Sequence, residues 1–245
     1  MIKRVVGFEY HTIRILMLIN IWWIGTHLYK NPFKSLIVLV KLLKNFKRMM
    51  GGRTLVRAFN IEGKYAWDMF NPAWPSPGFN AFFKRHLIEV QATPTDNRAL
   101  RRLIVAITKR CPLACAHCSE AATLYQKDVL SLTDYYHKID PFVEQGVGQL
   151  VFSGGEPLSR FDDLISLLER YQNRCDQWVY TSGYGLTLDR AKRLKAAGLN
   201  GIAISLDHFD PNEHNAFRGN LNSFEWVDQS VSHCLEVGIL VALNV

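Results

Sequence analysis

Cys111-Pro112-Leu113-Ala114-Cys115-Ala116-His117-Cys118 holds three of the chain's five cysteines within eight residues. Thiolates this close on one loop can hold one compact metal centre. Three of them can each take an iron of a [4Fe–4S] cubane and leave the fourth iron open to a ligand. A structural zinc site instead closes all four positions. Zinc bound by the three cysteines and His117 stays open as an alternative. It is an awkward one, because His117 and Cys118 are chain neighbours and converge poorly on one tetrahedral ion. Just upstream, Leu103-Ile-Val-Ala-Ile-Thr108 is an apolar, β-branched run that reads as a buried parallel strand. The cysteines then leave the carboxyl end of a strand, where barrel enzymes carry their chemistry.

The spacing C-x3-C-x2-C resembles the signature of the radical S-adenosylmethionine (radical SAM) family, with His117 in the slot that usually holds an aromatic-type residue. The resemblance implies that Cys111, Cys115 and Cys118 hold a [4Fe–4S] cluster and that S-adenosyl-L-methionine (SAM) is the second cofactor, with His117 packing by its adenine. Phe152-Ser-Gly-Gly-Glu-Pro157 follows at the end of the next expected strand. Glycines let a backbone approach a ligand, and in this family Gly154, Gly155 and Glu156 would bind the methionine amino group of SAM. Ser205-Leu-Asp207 ends a later strand, and Ser205 and Asp207 are candidates for the ribose hydroxyls, or else cap the next loop. His214-Asn-Ala-Phe-Arg218-Gly219 resembles a stretch of peptide-modifying and cofactor-maturation members. There Arg218 would pair with the SAM carboxylate through its guanidinium fork, with a surface ion pair as the alternative. Thr181-Ser182-Gly183 stands where relatives commonly have Thr-Asn-Gly. The implied activity is reductive cleavage of SAM to a 5′-deoxyadenosyl radical that abstracts hydrogen from a substrate, with a flavodoxin- or ferredoxin-type electron donor. No residue is named as a base for the substrate.

The remaining cysteines, Cys175 and Cys234, are scattered, so the chain has no disulfide framework and suits a reducing compartment. They read as buried, neutral thiols. The net charge of +7 is unevenly spread. The first sixty residues hold eleven Lys or Arg against one acid, Glu9, which leaves 18 basic and 21 acidic residues in the rest. This is a basic arm on a mildly acidic body.

That arm is also apolar. Ile15–Gly25 is short of the roughly 20 residues a spanning helix needs. In Ser35–Met50, Lys41, Lys44, Lys47 and Arg48 recur at helical spacing among Leu, Val and Phe. Trp22 and Trp23 suit an interface. Residues 1–60 are therefore expected to form a basic, hydrophobic helical extension lying on an anionic membrane surface. Packing on the core or on a partner is the alternative. Nucleic acid is disfavoured, because aliphatic faces do not serve phosphate binding, and the stretch lacks a small-x-small cleavage pattern. Gly51-Gly52 reads as a breaker, residues 61–98 as an aromatic- and proline-rich connector, and Thr93–Asn97 as its linker. Three prolines across Asn71–Gly78 forbid regular helix there. The aromatics either pack over the core or line a substrate site.

From residue 99 strand and helix alternate. Strands are predicted over 103–108, 149–153, 177–181, 201–205 and 239–245, and helices over 132–145, 160–173, 187–197 and 223–237. Ser131 or Thr133, Ser159, Thr187 and Ser223 are the candidate N-caps. Alternation of this kind gives an α/β fold with a parallel sheet. The resemblance implies a partial (β/α)6 TIM-like barrel over residues 99–245, truncated after the fifth strand. Two functional classes are carried forward. The first is a radical SAM enzyme acting on a lipid or membrane-linked substrate, on a peptide, or on a small biosynthetic precursor, and cytoplasmic or peripheral on the inner membrane face. The second is an iron–sulfur binding protein without turnover.

Overall fold

A computed structural model describes residues 2–49, 51, 57–91, 100–124 and 126–245, so the linker Thr93–Asn97 and Gly52 lie outside the described residues. The chain divides into two units, one of residues 2–102 with 142–149 and one of residues 103–141 with 150–245. The extension and the connector, distinct in composition, thus fold into one N-terminal unit.

This unit opens with strand β1 (Ile2–Val5) and helices α1 (Gly7–Tyr29) and α2 (Pro32–Met49). Strands β2 (Ala58–Ile61) and β3 (Lys64–Ala66) follow, then helix α3 (Pro77–Gln91). The three strands make an antiparallel sheet in the order β1-β2-β3, in which Ile2 faces Ile61 and Phe59 faces Ala66. Lys30, left-handed at φ 52°, turns α1 into α2. The Asn31 side chain then accepts from Lys34 N at 3.0 Å and opens α2. Gly25 lets the two helices touch, since a Cβ there would lie 2.3 Å from Ser35 Oγ. That hydroxyl donates to Trp22 O at 2.7 Å. Ile21, Val38, Leu42, Phe79, Phe82 and Leu87 close the core, each fully buried apolar side chain contributing roughly 2 kcal/mol.

The connector is not loop throughout. Pro77 opens α3, a position where a missing N–H costs nothing. Ser76 Oγ accepts from Phe79 N at 3.0 Å. Phe79, Phe82 and Phe83 are buried in the unit's own core. Residues 71–78 did not read as helical because of their prolines, yet the third proline is the first residue of a helix. No described helix is long and apolar enough to cross a membrane.

After α3 come β4 (Arg102–Ala106), α4 (Leu132–Glu144), β5 (Gln149–Ser153), a 3-10 turn (Pro157–Arg160), α5 (Phe161–Tyr171), β6 (Asp176–Thr181) and α6 (Leu188–Ala196). After these come β7 (Gly201–Ser205), α7 (Pro211–Arg218), α8 (Ser223–Glu236) and β8 (Leu240–Asn244). One sheet runs β4-β5-β6-β7-β8, parallel at β6–β7 and β7–β8. It is an open α/β sheet, as a partial TIM-like barrel requires. The strands and four of the five helices fall within about two residues of the sequence expectation. The middle strands β5, β6 and β7 are buried, and α5 buries Phe161, Leu164, Leu168 and Tyr171 at helical spacing. Cys175 and Cys234 are buried, and burial pushes both thiols up to about 12.

Three readings need correction. β4 is not a buried strand: it is an edge strand with Ile104 57% exposed, and a continuous apolar run does not report which strand ends up at an edge. Helix α7 was not anticipated, because its eight residues are mostly polar; Asp210 caps it, accepting from Asn212 N at 2.8 Å. Thr187 caps α6 as expected, but Ser159 and Ser223 are not caps, since α5 and α8 begin after Arg160 and Asn222.

Candidate active site

The segment Ile107–Arg110 continues past the end of β4 and delivers the chain to Cys111. It is fastened from one side by the Gly154–Glu156 stretch at the end of β5. Ile107 N donates to Ser153 O at 2.8 Å, Gly155 N to Thr108 O at 2.8 Å, and Glu156 N to Arg110 O at 2.6 Å. Contact is so close that a Cβ on Gly154 would lie 2.5 Å from Thr108 O, and one on Gly155 2.3 Å from Arg110 O. Gly154 also takes φ 135°, open to glycine alone. The two glycines therefore serve a backbone-to-backbone approach that brings the second motif against the first.

Glu156 is 1% exposed. One carboxylate oxygen accepts from Leu158 N at 3.0 Å and Thr181 Oγ1 at 2.6 Å. The other accepts from Ser182 N at 2.9 Å and Ser182 Oγ at 2.6 Å. Burial pushes this carboxyl above the ordinary carboxylate range, while the Ser182, Thr181 and Leu158 donors pull it back. With all four acceptor positions taken, the side chain ties the end of β5 to the end of β6. Ser182, in the slot where the family pattern has an amide, supplies two of the four donors.

On its other side the cysteine loop is held by the end of α7. Ala114 N donates to Arg218 O at 3.1 Å and Ala116 N to Phe217 O at 3.0 Å. The rings of His117 and Phe217 stack with centroids 4.8 Å apart and planes at 16°. Gly219, at φ 65°, ends α7 where a Cβ would meet Ala114 O at 2.9 Å. Arg218 is buried; its side chain donates through Nε to Asp207 and reaches Cys115 Sγ with Nη1 at 3.5 Å. His214, 1% exposed, accepts from Asp207 N at 3.2 Å through Nδ1. Burial and then the Arg218 charge hold its imidazole below the usual range, against the pull of Asp207. Ser205 is the last residue of β7 and half-buried.

Cys111, Cys115 and Cys118 are free thiols of intermediate exposure. Burial pushes Cys111 up to about 11; the Leu113 backbone N–H opposes this, and Glu156 and the two other cysteines add to it. Among the described residues no three His, Cys, Asp or Glu side chains gather tightly enough to grip a single ion. A cluster that gives each thiolate its own iron suits a donor set spread along a loop better than one zinc at 2.0–2.3 Å from every ligand. The donor set and the neighbouring guanidinium fit such a cluster.

Two supports carried no signal in the sequence. Asp128 accepts from Thr108 Oγ1 and from Lys109 N, both at 2.8 Å. Arg160 donates to Ile107 O at 3.0 Å and Leu130 O at 2.9 Å. Both lie outside the motifs. Phe217 falls within the His214–Gly219 stretch, but nothing local to it pairs its ring with His117.

A family model described as the Radical SAM superfamily matches residues 105–245. The chain is similar to an AdoMet-dependent heme synthase of Nitratidesulfovibrio vulgaris, at 32% identity over 141 residues, 56% of this chain and 38% of the relative. It is also similar to a PqqA peptide cyclase of Streptomyces rochei, at 36% identity over 123 residues, 48% of this chain and 32% of the relative. Each match takes in only about a third of the relative's length. Among solved structures, Streptococcus suis SuiB bound to its precursor peptide SuiA matches with a TM-score of 0.52 over 68% of this chain and 37% of that one. At 17% identity this is a likeness of fold.

Proposed function

Because the chain belongs to the radical SAM superfamily, we propose that it is an enzyme whose Cys111, Cys115 and Cys118 hold a [4Fe–4S] cluster that binds and reductively cleaves SAM. The observation that carries this reading is the cysteine loop gripped between Gly154–Glu156 and the end of α7. When bound, the cluster and SAM supply an electron to the sulfonium and a 5′-deoxyadenosyl radical that abstracts a substrate hydrogen. The chain's own residues position and shield. The backbone of Gly154 and Gly155 offers polar atoms toward the SAM amino group, with Glu156 fixing that backbone from behind. Arg218 sets a positive charge beside Cys115, which favours an anionic ligand such as the SAM carboxylate. Ser205 and Asp207 are assigned to the ribose, and the His117–Phe217 stack offers a flat apolar wall for adenine. A flavodoxin- or ferredoxin-type protein supplies the electron.

For the substrate, the reading is a lipid or membrane-linked molecule met at the inner membrane surface. Its support is the outer face of the helical hairpin. Phe33, Ile37 and Val40 on α2, and Phe8, Ile15, Ile19 and Trp23 on α1, are exposed at helical spacing, with Lys34, Lys41 and Lys44 among them. A peptide or a small biosynthetic precursor is the second reading, favoured by the His214–Gly219 stretch and by relatives named for peptide cyclisation and heme synthesis.

The test is anaerobic. The chain is reconstituted with iron and sulfide, reduced, given SAM and assayed for 5′-deoxyadenosine. Product from the parent chain and none from Cys115→Ala supports the reading. A cluster with no cleavage favours a binding protein. Cosedimentation with anionic vesicles, lost in Phe33→Glu/Ile37→Glu, tests the membrane face separately.

A further inference from the structure

Within the N-terminal unit, α1, α2 and α3 do not close on one another completely. They leave a cavity of about 420 Å³, walled by Met17 and Leu18 of α1, Leu42 and Phe46 of α2, and Phe79 and Phe83 of α3. That volume lies in the range of small-molecule sites, which are likewise mostly apolar with a few placed polar groups.

The charged groups on this cavity are few and one-sided. Asp68 is its one acid, and its carboxylate accepts from Phe70 N, Asn71 N and Asn71 Nδ2 at 2.7 to 3.0 Å. Arg14 and Lys47 are its two cations, both exposed and neither with an acidic partner among the described residues. Lys30 and Asn31 make the turn between α1 and α2. Arg14 lies sixteen residues before Lys30 and Lys47 sixteen residues after Asn31. At 1.5 Å per residue each is about 24 Å along its helix from the turn. The two cations therefore stand at the same level of the hairpin, one on each helix, and both line the apolar chamber. A long apolar body that ends in one anionic group matches this arrangement of wall and charge.

We propose that the cavity binds the acyl chain of a single-chain anionic lipid, with Arg14 and Lys47 holding its head group. The ligand class extends the lipid reading above and rests on it for the choice of substrate family. The site itself is separate from the hairpin's outer face, and its occupancy is measured without iron or SAM, so failure here and failure of the radical reading are distinguishable.

Calorimetric titration of the full chain with tetradecanoate, held below its aggregation concentration, tests the proposal. We expect saturable binding of one molecule per chain. Dodecanoate should bind about fifteenfold more weakly, for two methylenes fewer in the wall. The surface variant Arg14→Glu/Lys47→Glu should weaken tetradecanoate by about thirtyfold. Tetradecyltrimethylammonium should bind the parent chain more weakly than tetradecanoate does. Leu18→Trp, which fills the chamber, should remove binding with the far-ultraviolet dichroism unchanged. The proposal is overturned if the cationic amphiphile binds as well as the anionic one, if the double charge reversal leaves tetradecanoate binding intact, or if no saturable binding is seen.

Discussion

Arg218 Nη1 stands 3.5 Å from Cys115 Sγ, although the two residues are 103 positions apart in the chain. Its Nε is bonded to Asp207, so one guanidinium joins the loop after β7 to the cysteine loop after β4. Arg218→Ala removes a cation from a pair whose side chains are 10% and 19% exposed. We expect a loss of about 3 kcal/mol in guanidinium unfolding, because the Asp207 carboxylate is left without its partner. Arg218→Lys should recover part of that loss, since it keeps the charge but not the fork.

Gly219→Ala should act on the same seam from the backbone. Its φ of 65° and the 2.9 Å approach of an added Cβ to Ala114 O leave no room for a methyl group. We expect destabilisation of more than about 1 kcal/mol. Iron retained per chain after reconstitution should also fall, because Ala114 moves with its neighbour Cys115. Full iron retention would show that the seam does not set the loop.

Glu156→Gln replaces an oxygen that accepts two hydrogen bonds with a nitrogen that donates. Whichever way the amide turns, it faces a backbone N–H of Leu158 or Ser182. In a site 1% exposed this should cost about 2 kcal/mol in urea unfolding. An unchanged midpoint would mean that the carboxyl is protonated in the folded chain.

His86 gives the N-terminal unit a pH dependence. It lies among Phe46, Phe82 and Phe83, with ring centroids 5.0 to 5.8 Å away. Burial, with the Arg101 charge second, lowers it to about 3. The unfolded histidine, near 6.5, takes a proton that the folded one refuses, so this contribution to stability is complete above about pH 6.5 and is lost as pH falls toward 3. Between pH 7 and pH 5 the loss should be about 2 kcal/mol. His86→Phe should flatten that slope in unfolding curves taken at the two values.

Much of this was legible in the order of the residues. The spacing of Cys111, Cys115 and Cys118 and the Gly154–Glu156 stretch were visible because close backbone approach and thiolate ligation tolerate few residue types. Strands such as Leu150–Phe152 and Ile202–Ile204 were visible because both their faces are buried. What stayed hidden depends on long-range partners. Nothing local to Ser182 says that it donates to Glu156, and nothing in Asp128 points to Thr108. Helix α3 was masked by the prolines at and just before its start, and α7 by its polarity. The exposure of Ile104 follows from its strand's place at the edge of the sheet, which periodicity does not encode.

The measurement that bears most directly on the central claim is the electron paramagnetic resonance spectrum of the reconstituted, reduced chain, recorded with and without SAM. If three cysteines hold three irons and the fourth is open to SAM, the reduced cluster should give a signal whose g-values shift when SAM is added, and Cys115→Ala should give no such signal. A cluster signal indifferent to SAM, or a chain that keeps zinc and takes up no iron, would contradict it.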